Sequence, residues 1–217
     1  MECFGKMKKT ALLSFFFLSF LMLVSCSDKR TSYWDNGYVR SELEYKDGKL
    51  HGKAVWFYDN GNKEQEAFYQ DNLLEGEMRR YYRNGNLESV LHYKNGKKQG
   101  EEVVYDDQGH KIALKHYVND TLDGRAVEWF PGGQVKVEGD YKQGLYHGKW
   151  YYYDLTGNVV GMGIFKDGDG ILKAWWPNGK LKREVPYRHN LKEGVEKVYS
   201  MDGSLENTFH WENGQLK

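Results

Sequence analysis

The sequence predicts an all-β fold, an antiparallel β-meander solenoid of about eight hairpin repeats, each 24 residues long. Two regular spacings predict it: glycine recurs in two columns along the chain, and aromatic residues recur in two more. Composition agrees with this fold class. The chain has 25 glycines, three prolines and 16% aromatic residues, which suits short strands joined by turns better than helices.

The glycine columns mark the two turns of each repeat. The first column is Gly37, Gly61, Gly85, Gly109, Gly133, Gly157, Gly179 and Gly203, and the second is Gly52, Gly76, Gly100, Gly124, Gly148, Gly170 and Gly194. Each step is 24 residues except one of 22. The loss falls between Phe165 and Gly170, which are five positions apart where other repeats have seven. We therefore predict a trimmed turn there.

The aromatic columns give one member to each strand. The first column is Tyr45, Tyr69, Tyr93, Tyr117, Tyr141, Phe165, Tyr187 and Trp211, and the second is Tyr33, Phe57, Tyr81, Tyr105, Trp129, Tyr153, Trp175 and Tyr199. A three-residue loop with left-handed Gly61 would place Tyr58 opposite Asn62. This register predicts both columns on one face. The opposite face, with Glu42, Glu66, Glu138 and Glu184, is expected to be solvated.

The N-terminal segment predicts export. Lys6, Lys8 and Lys9 precede an uncharged apolar run at residues 11–24. This run is short for a bilayer span but suits the core of a signal peptide. Translation starts at Met1 or Met7, and the sequence leaves that choice open.

The stretch Leu-Val-Ser-Cys, which ends at Cys26, resembles the lipobox of bacterial lipoproteins. The resemblance implies that the Cys26 thiol receives the lipid, whereas the alternative is a secretory signal with an incidental cysteine. We predict a signal peptide at residues 1–25, a lipidated N-terminus and short linker at residues 26–32, and a repeat domain at residues 33–217. The predicted location is the bacterial cell envelope, in the inner or the outer membrane.

Charge and cysteine content narrow the function classes. Beyond Cys26 the chain has 28 basic and 30 acidic side chains and no further cysteine. A nearly neutral chain gives no general reason to expect nucleic acid as a partner. No disulfide can form within the exported part, so its stability must come from packing.

The motifs YKDGKLHG, YKNGKKQG and YKQGLYHG, which begin at Tyr45, Tyr93 and Tyr141, resemble MORN-type repeats. The stretch YYRNGNLESVLHYKNGKKQGE is more closely similar to the variant found in YwqK-family antitoxins. The resemblance covers residues 33–217 and implies a twisted β-meander with a role in protein–protein interaction. Asn72, Asp120 and Asn190 depart from the pattern at a turn glycine.

The stretch GKWYYYDLTG, residues 148–157, raises the question of a binding site. Strand alternation places Tyr153 in the second aromatic column and Trp150 and Tyr152 on the other face. A patch of Phe130, Trp150, Tyr152 and Trp176 is our candidate interaction surface. The alternative is a carbohydrate-binding or cell-wall-binding protein in which tryptophan and tyrosine platforms hold a sugar or a quaternary amine.

Catalytic and metal motifs are missing from the sequence. It has no G-x-S-x-G elbow and no phosphate-binding loop, so we do not expect an enzyme. His92 and His116 share one repeat position, but an intervening strand separates them and no metal-ligand spacing accompanies them. We therefore predict no cofactor and no metal.

Lipidation of Cys26 is directly testable. We expect the native chain to incorporate a labelled fatty acid and to fractionate with membranes, while Cys26→Ala is not labelled because it lacks the acceptor thiol. Two unlabelled, cytosolic forms would contradict the assignment of residues 1–26. In that case a toxin encoded beside the gene becomes the first candidate partner.

Overall fold

In the computed structural model, which describes residues 27–217, antiparallel strands follow one another along the chain and form one sheet. The strands are β1 (Ser27–Tyr33), β2 (Val39–Lys46), β3 (Lys49–Phe57), β4 (Lys63–Gln70), β5 (Leu73–Leu74), β6 (Gly76–Tyr81), β7 (Leu87–Lys94), β8 (Lys97–Lys98), β9 (Gly100–Tyr105), β10 (Lys111–Val118), β11 (Thr121–Trp129), β12 (Val135–Lys142), β13 (Leu145–Tyr153), β14 (Val159–Lys166), β15 (Asp169–Trp175), β16 (Leu181–Arg188), β17 (Leu191–Lys192), β18 (Gly194–Tyr199), β19 (Leu205–Glu212) and β20 (Gln215–Leu216).

The predicted all-β antiparallel meander is therefore confirmed. None of the described residues belongs to a helix that could span a bilayer. We number the repeats by the hairpins β2–β3, β4–β6, β7–β9, β10–β11, β12–β13, β14–β15, β16–β18 and β19–β20, as repeats 1 to 8. The predicted signal peptide and Cys26 lie outside the described residues.

A two-residue turn joins the strands within each repeat. In repeat 1 it is Asp47-Gly48, with φ of 51° and 79°, the two positive values that a type I′ hairpin requires. Asn72, Asp120 and Asn190 keep this conformation, with φ of 71°, 69° and 66°. Their side chains tolerate the left-handed region, so these departures from glycine leave the hairpin intact.

The trimmed turn of repeat 6 keeps its two turn residues and lacks the bulge beside them. In repeat 1, Tyr45 pairs with Leu50 and Leu43 pairs with Ala54. Between these two pairs, one residue of the first strand lies opposite three residues of the second strand. In repeat 6 the pairing continues without a shift from Lys166 and Asp169 onward. The two missing residues are therefore those of the bulge.

The second kind of turn joins successive repeats. As predicted, the Tyr58 N–H donates to the Asn62 carbonyl at 2.8 Å, and the Gly61 N–H donates to the Tyr58 carbonyl at 3.0 Å. Gly61 has φ of 87°, the left-handed conformation that this three-residue loop needs.

One prediction about this turn is wrong. Phe57 pairs with Lys63 and Trp56 pairs with Gln65, so Glu64 is an extra residue in the strand. The same register shift recurs at all eight such turns of the described chain. One extra residue reverses the parity of a strand. The two aromatic columns therefore lie on opposite faces of the sheet.

We call the face with the first aromatic column the core face. It also carries most of the buried side chains, including Ala67, Trp150 and Val185. Trp150 is 4% exposed and lies between two glycines, Gly139 and Gly163, because its strand is flanked by β12 and β14. A Cβ atom on Gly139 would overlap the indole ring of Trp150. Large and small residues are thus matched across neighbouring strands.

The opposite, or outer, face carries the second aromatic column and the glutamates. The prediction that these glutamates are solvated is wrong for Glu66, whose side chain is only 13% exposed. Lys53 and Lys63 contact Glu66, and the Tyr81 hydroxyl donates to it at 3.4 Å. The hydrogen bond from Lys53, assisted by Lys63, holds the pKa of Glu66 below its ordinary value despite partial burial.

The predicted linker at residues 26–32 is also wrong for its described part. Residues 27–33 form β1, which pairs with β2 from Ser27 opposite Lys46 to Tyr33 opposite Val39. Asp28 occupies the position that glycine holds in the next repeat. The glycine spacing therefore did not reveal this strand.

The packing of Trp150 predicts a large effect from a small substitution. We expect Gly139→Ala to lower the urea midpoint of the protein, by an amount equivalent to about 1–3 kcal/mol, because the added methyl group overpacks the core. Gly132→Ala is the control, since its Cβ would meet only the end of the Gln134 side chain. Equal midpoints for the two variants would contradict this packing.

Candidate interaction surface

Two of the predicted surface residues lie on the core face. Trp150 and Tyr152 project opposite Tyr153, as the sequence predicted. Trp150 is buried, however, and its Nε1–H donates to the Asp140 carbonyl at 3.1 Å. It cannot serve as an exposed platform, so this part of the predicted surface is wrong. Glycine at position 139, opposite the indole, makes that burial possible.

The other two residues lie at turns between repeats. Phe130 begins the turn that its N–H closes on the Gln134 carbonyl at 2.9 Å. Trp176 donates from Nε1 to the Tyr199 carbonyl at 3.0 Å, and the Lys182 ammonium lies 4.3 Å from its ring centroid. Tyr152 and Trp176 line different cavities. The four residues therefore do not form one surface.

An aromatic cluster fills the core face around the trimmed turn. Tyr146 packs against Trp150 and Phe165, with ring centroids 4.7 and 5.2 Å apart, and reaches Tyr187 at 6.4 Å. Such edge and tilted contacts stabilise aromatic pairs beyond the burial of area. Because repeat 6 lacks its bulge, side chains of repeats 5 and 7 meet across it.

Asn190 also connects repeats 5 and 7, through hydrogen bonds. Its Oδ1 accepts from the Tyr146 N–H at 2.8 Å, and its Nδ2 donates to the Gly144 carbonyl at 2.9 Å. In an untrimmed part of the array, Asn72 Oδ1 accepts from the Leu50 N–H of the preceding repeat. Asn190 instead reaches past the neighbouring repeat 6, so repeat 7 is hydrogen-bonded directly to repeat 5.

Next to this cluster lies the core-face cavity, with a volume of about 190 Å³. Its lining residues are Tyr152, Val160, Gly161, Leu172, Ala174, Arg183, Val185, Tyr187 and Lys192. Most of these side chains are apolar or aromatic. The two basic residues give the cavity one polar side.

Those basic residues belong to a charged cluster around Glu196, whose side chain is 0% exposed. Arg183 forms an ion pair with Glu196, and Lys192 Nζ lies 3.1 Å from the other carboxylate oxygen. The Trp211 Nε1–H donates to the same carboxylate at 2.8 Å, and Lys192 lies 4.1 Å from the centroid of the indole. Pairing and hydrogen bonding make the burial of this charge tolerable.

A related cluster occurs at the equivalent position of repeat 3. Lys98 lies 3.4 Å from Glu102, and the Tyr117 hydroxyl donates to that carboxylate at 3.0 Å. Ser89 occupies the position that corresponds to Arg183. The second cation is therefore what distinguishes the cluster of repeat 7.

On the outer face, four apolar residues form a row across β14, β15, β16 and β18. We call Ile164, Ile171, Pro186 and Val195 the apolar row. Ile164 pairs with Ile171, and Ile171 pairs with Pro186. Ile164, Ile171 and Val195 are 57%, 45% and 39% exposed. These are high exposures for side chains of this type in neighbouring strands.

The apolar row breaks the charge pattern of the repeat. The residues equivalent to Ile171 and Val195 in the earlier repeats are Lys53, Glu77, Glu101, Arg125 and Lys149. Sequence reasoning missed the row because the predicted register put the aromatic columns on one face. A column-by-column comparison of polarity would have identified it.

A groove lies at the turns beside Trp176, apart from the core-face cavity and the apolar row. Asp154, Asn158, Trp175 and Pro177 help to line it. Asp154 Oδ1 accepts from the backbone N–H groups of Thr156 and Asn158 within its own turn. A hydrogen bond from the Thr156 hydroxyl, together with those two backbone N–H groups, holds the pKa of Asp154 below its ordinary value. The groove thus combines indole rings with fixed polar groups.

The histidines do not converge. His116 Nδ1 lies 2.6 Å from the Asp123 carbonyl oxygen, and His92 Nε2 lies 3.8 Å from Glu77. Within residues 27–217, no group of three or more His, Cys, Asp or Glu side chains is placed to hold a metal ion.

These features define a class of protein, a linear array of β-hairpin repeats whose sheet offers two faces. A family model described as "MORN repeat variant" matches residues 50–71, 74–95, 122–143, 146–167 and 168–189, just over half of the chain. The chain belongs to this family. MORN repeats are commonly protein or membrane interaction modules.

No curated protein matches the chain. Among solved structures, 52 chains match. One of them belongs to the "Crystal Structure of TcdB2-TccC3-Cdc42", with 11% identity, a TM-score of 0.24 and coverage of 85% of this chain. This chain spans 14% of the length of that one.

The Glu196 cluster predicts an acid-sensitive C-terminal region. Burial opposes ionisation of Glu196, but hydrogen bonds from Lys192 and Arg183 outweigh it and hold its pKa below the ordinary 4.5. A depressed pKa stabilises the fold above pH 4.5, and this stabilisation is lost as the pH falls through the lower folded value. We expect the urea midpoint to drop in that range.

The variant Glu196→Gln should show a smaller drop between neutral and acid pH, since it has no carboxyl to protonate. Glu206→Gln, which removes an exposed carboxyl from β19, is the matched control and should retain the full drop. An equal acid response in the native protein and in Glu196→Gln would show that this carboxyl does not contribute.

Proposed function

We propose that this chain is a non-catalytic envelope lipoprotein that binds a protein partner through the outer face of repeats 6 and 7. The observation that carries the proposal is the apolar row. In this row, exposed isoleucine and valine replace the charged side chains of the earlier repeats. The replacement lowers solubility and buries no additional apolar side chain in the core. Contiguous exposed apolar side chains commonly mark interaction sites.

The surroundings of the row indicate the chemistry of the partner. Lys149 pairs across the strands with Ile164, and Lys197 follows Val195 on the same face. Neither lysine has an ion-pair partner within 4.0 Å in the described part of the chain, whereas Lys173 pairs with Glu184 at 3.4 Å. A complementary segment would therefore carry apolar side chains and acidic residues.

The predicted lipid anchor at Cys26 supports an envelope location and membrane attachment. The resemblance to YwqK-family antitoxins supports a function in which binding inhibits the partner. With an exported chain, that partner would lie outside the cytosol. The basic and acidic balance of the exported part supports a protein partner over nucleic acid.

Carbohydrate or cell-wall binding is the second candidate function. The groove beside Trp176 favours it, because indole faces stack on sugar rings while Asp154 and Asn158 offer hydrogen-bond acceptors and donors. This groove replaces Trp150 as the site that a glycan would use. The two candidates are separable, since the groove and the apolar row involve different residues.

Site-specific photo-cross-linking in cells tests the first candidate. We expect a photoreactive residue at position 171 to give a discrete cross-linked protein, and one at position 101, the equivalent of 171 in repeat 3, to give none. The cross-link formed from position 164 should disappear in Ile171→Lys, which restores the charge of the repeat. Identical cross-linking from positions 171 and 101 would contradict the proposal.

A peptidoglycan pull-down distinguishes the second candidate. Retention by peptidoglycan that is lost in Trp176→Ala and kept in Ile171→Lys would favour the glycan site. Lack of retention by the native protein, on peptidoglycan and on a glycan array, would rule it out.

A further inference from the structure

The core-face cavity exists because two facing residues are small. Gly161 pairs with Ala174 across β14 and β15. The equivalent pairs hold larger side chains in other repeats, such as Val137 with Tyr152 on one side and Ser41 with Trp56 at the start of the array. The gap above Gly161 and Ala174 is walled by Tyr152, Leu172, Val185 and Tyr187.

The charges at the polar side of the cavity do not balance. Arg183 and Lys192 share one buried carboxylate, that of Glu196. A guanidinium has five N–H donors and an ammonium three, whereas Glu196 has two oxygens and also accepts from Trp211. Arg183 and Lys192 side chains remain 44% and 26% exposed. One positive charge and several donors are therefore left for another acceptor.

We propose that the core-face cavity binds a carboxylate that is joined to an aromatic or short aliphatic group. The carboxylate accepts hydrogen bonds from Arg183 and Lys192, and the apolar group lies over Gly161 and Ala174. A cavity of about 150 Å³ with apolar walls is known to hold benzene, so 190 Å³ has room for one phenyl ring.

The tyrosines support this ligand chemistry. Burial raises the pKa of Tyr187 and of Tyr152, so neither hydroxyl places a negative charge beside the bound carboxylate. The site is on the face opposite the apolar row and depends on different residues. Its failure would leave the proposed partner surface untouched.

Titration of the full-length protein with 3-phenylpropionate tests the site, with the uncharged 3-phenylpropanol as the matched ligand. We expect the acid to bind at least tenfold more tightly, because its carboxylate meets charged donors. Equal affinities, or no binding of the acid, would overturn the proposal.

Two variants locate the binding. Ala174→Leu fills the cavity and should reduce the affinity for the acid at least tenfold, whereas Val104→Leu, at the equivalent position in repeat 3, should leave it unchanged. Similar affinities in both variants would place the ligand elsewhere and overturn the assignment.

Glu196→Gln tests the charge argument by a gain of affinity. Removing the competing carboxylate frees Arg183 and Lys192, so we expect the acid to bind at least tenfold more tightly to this variant. Unchanged or weaker binding by the folded variant would overturn the assignment of the cations. If this variant does not fold, Arg183→Gln provides the opposite test, and unchanged binding there has the same meaning.

The same chemistry is present in a free organic acid and in the C-terminal residue of a peptide. The tripeptide Gly-Gly-Phe and its C-terminal amide separate these sources. Binding of the acid form of the peptide, with at least tenfold preference over the amide, identifies a protein C-terminus. Binding of 3-phenylpropionate without binding of the peptide acid identifies a free organic acid.

Discussion

Each strand that follows a turn between repeats contains one extra residue. This residue determines which side chains share a face, and the rest of the structure depends on it. Glu64 is that residue in repeat 2. Without it, Phe57 and Tyr69 would project together, and the sheet would have one aromatic and one polar face. With it, both faces carry an aromatic column, and each column packs against different neighbours. Bulges of this kind also increase strand twist.

Much of the fold was predictable because turn chemistry is local. Glycine at positions such as Gly61, and Asn or Asp at positions such as Asn72, follow from the left-handed conformation that these turns require. The bulge at Glu64 was not predictable in this way. No special residue type marks it, since Arg40, Ile112 and Val160 occupy the same position in other repeats.

The candidate sites were less predictable, because they depend on which strands become neighbours. Trp150 looked like a binding platform until the structure placed Gly139 beside it. Nothing in the repeat pattern marks Glu196, yet Arg183 and Trp211 reach it from the flanking strands. The features on which both proposals rest are departures from the repeat: the trimmed turn, the apolar row and the second cation all lie in repeats 6 and 7.

The bridge formed by Asn190 changes how this array should respond to force and heat. Linear repeat proteins are usually treated as chains of units coupled only to their nearest neighbours. Here Asn190 and Tyr146 couple repeat 5 to repeat 7, past the shortened hairpin between them. A nearest-neighbour description therefore fails in this region. Repeats 5 to 7 should open as one cooperative block, while the N-terminal repeats can fray one hairpin at a time.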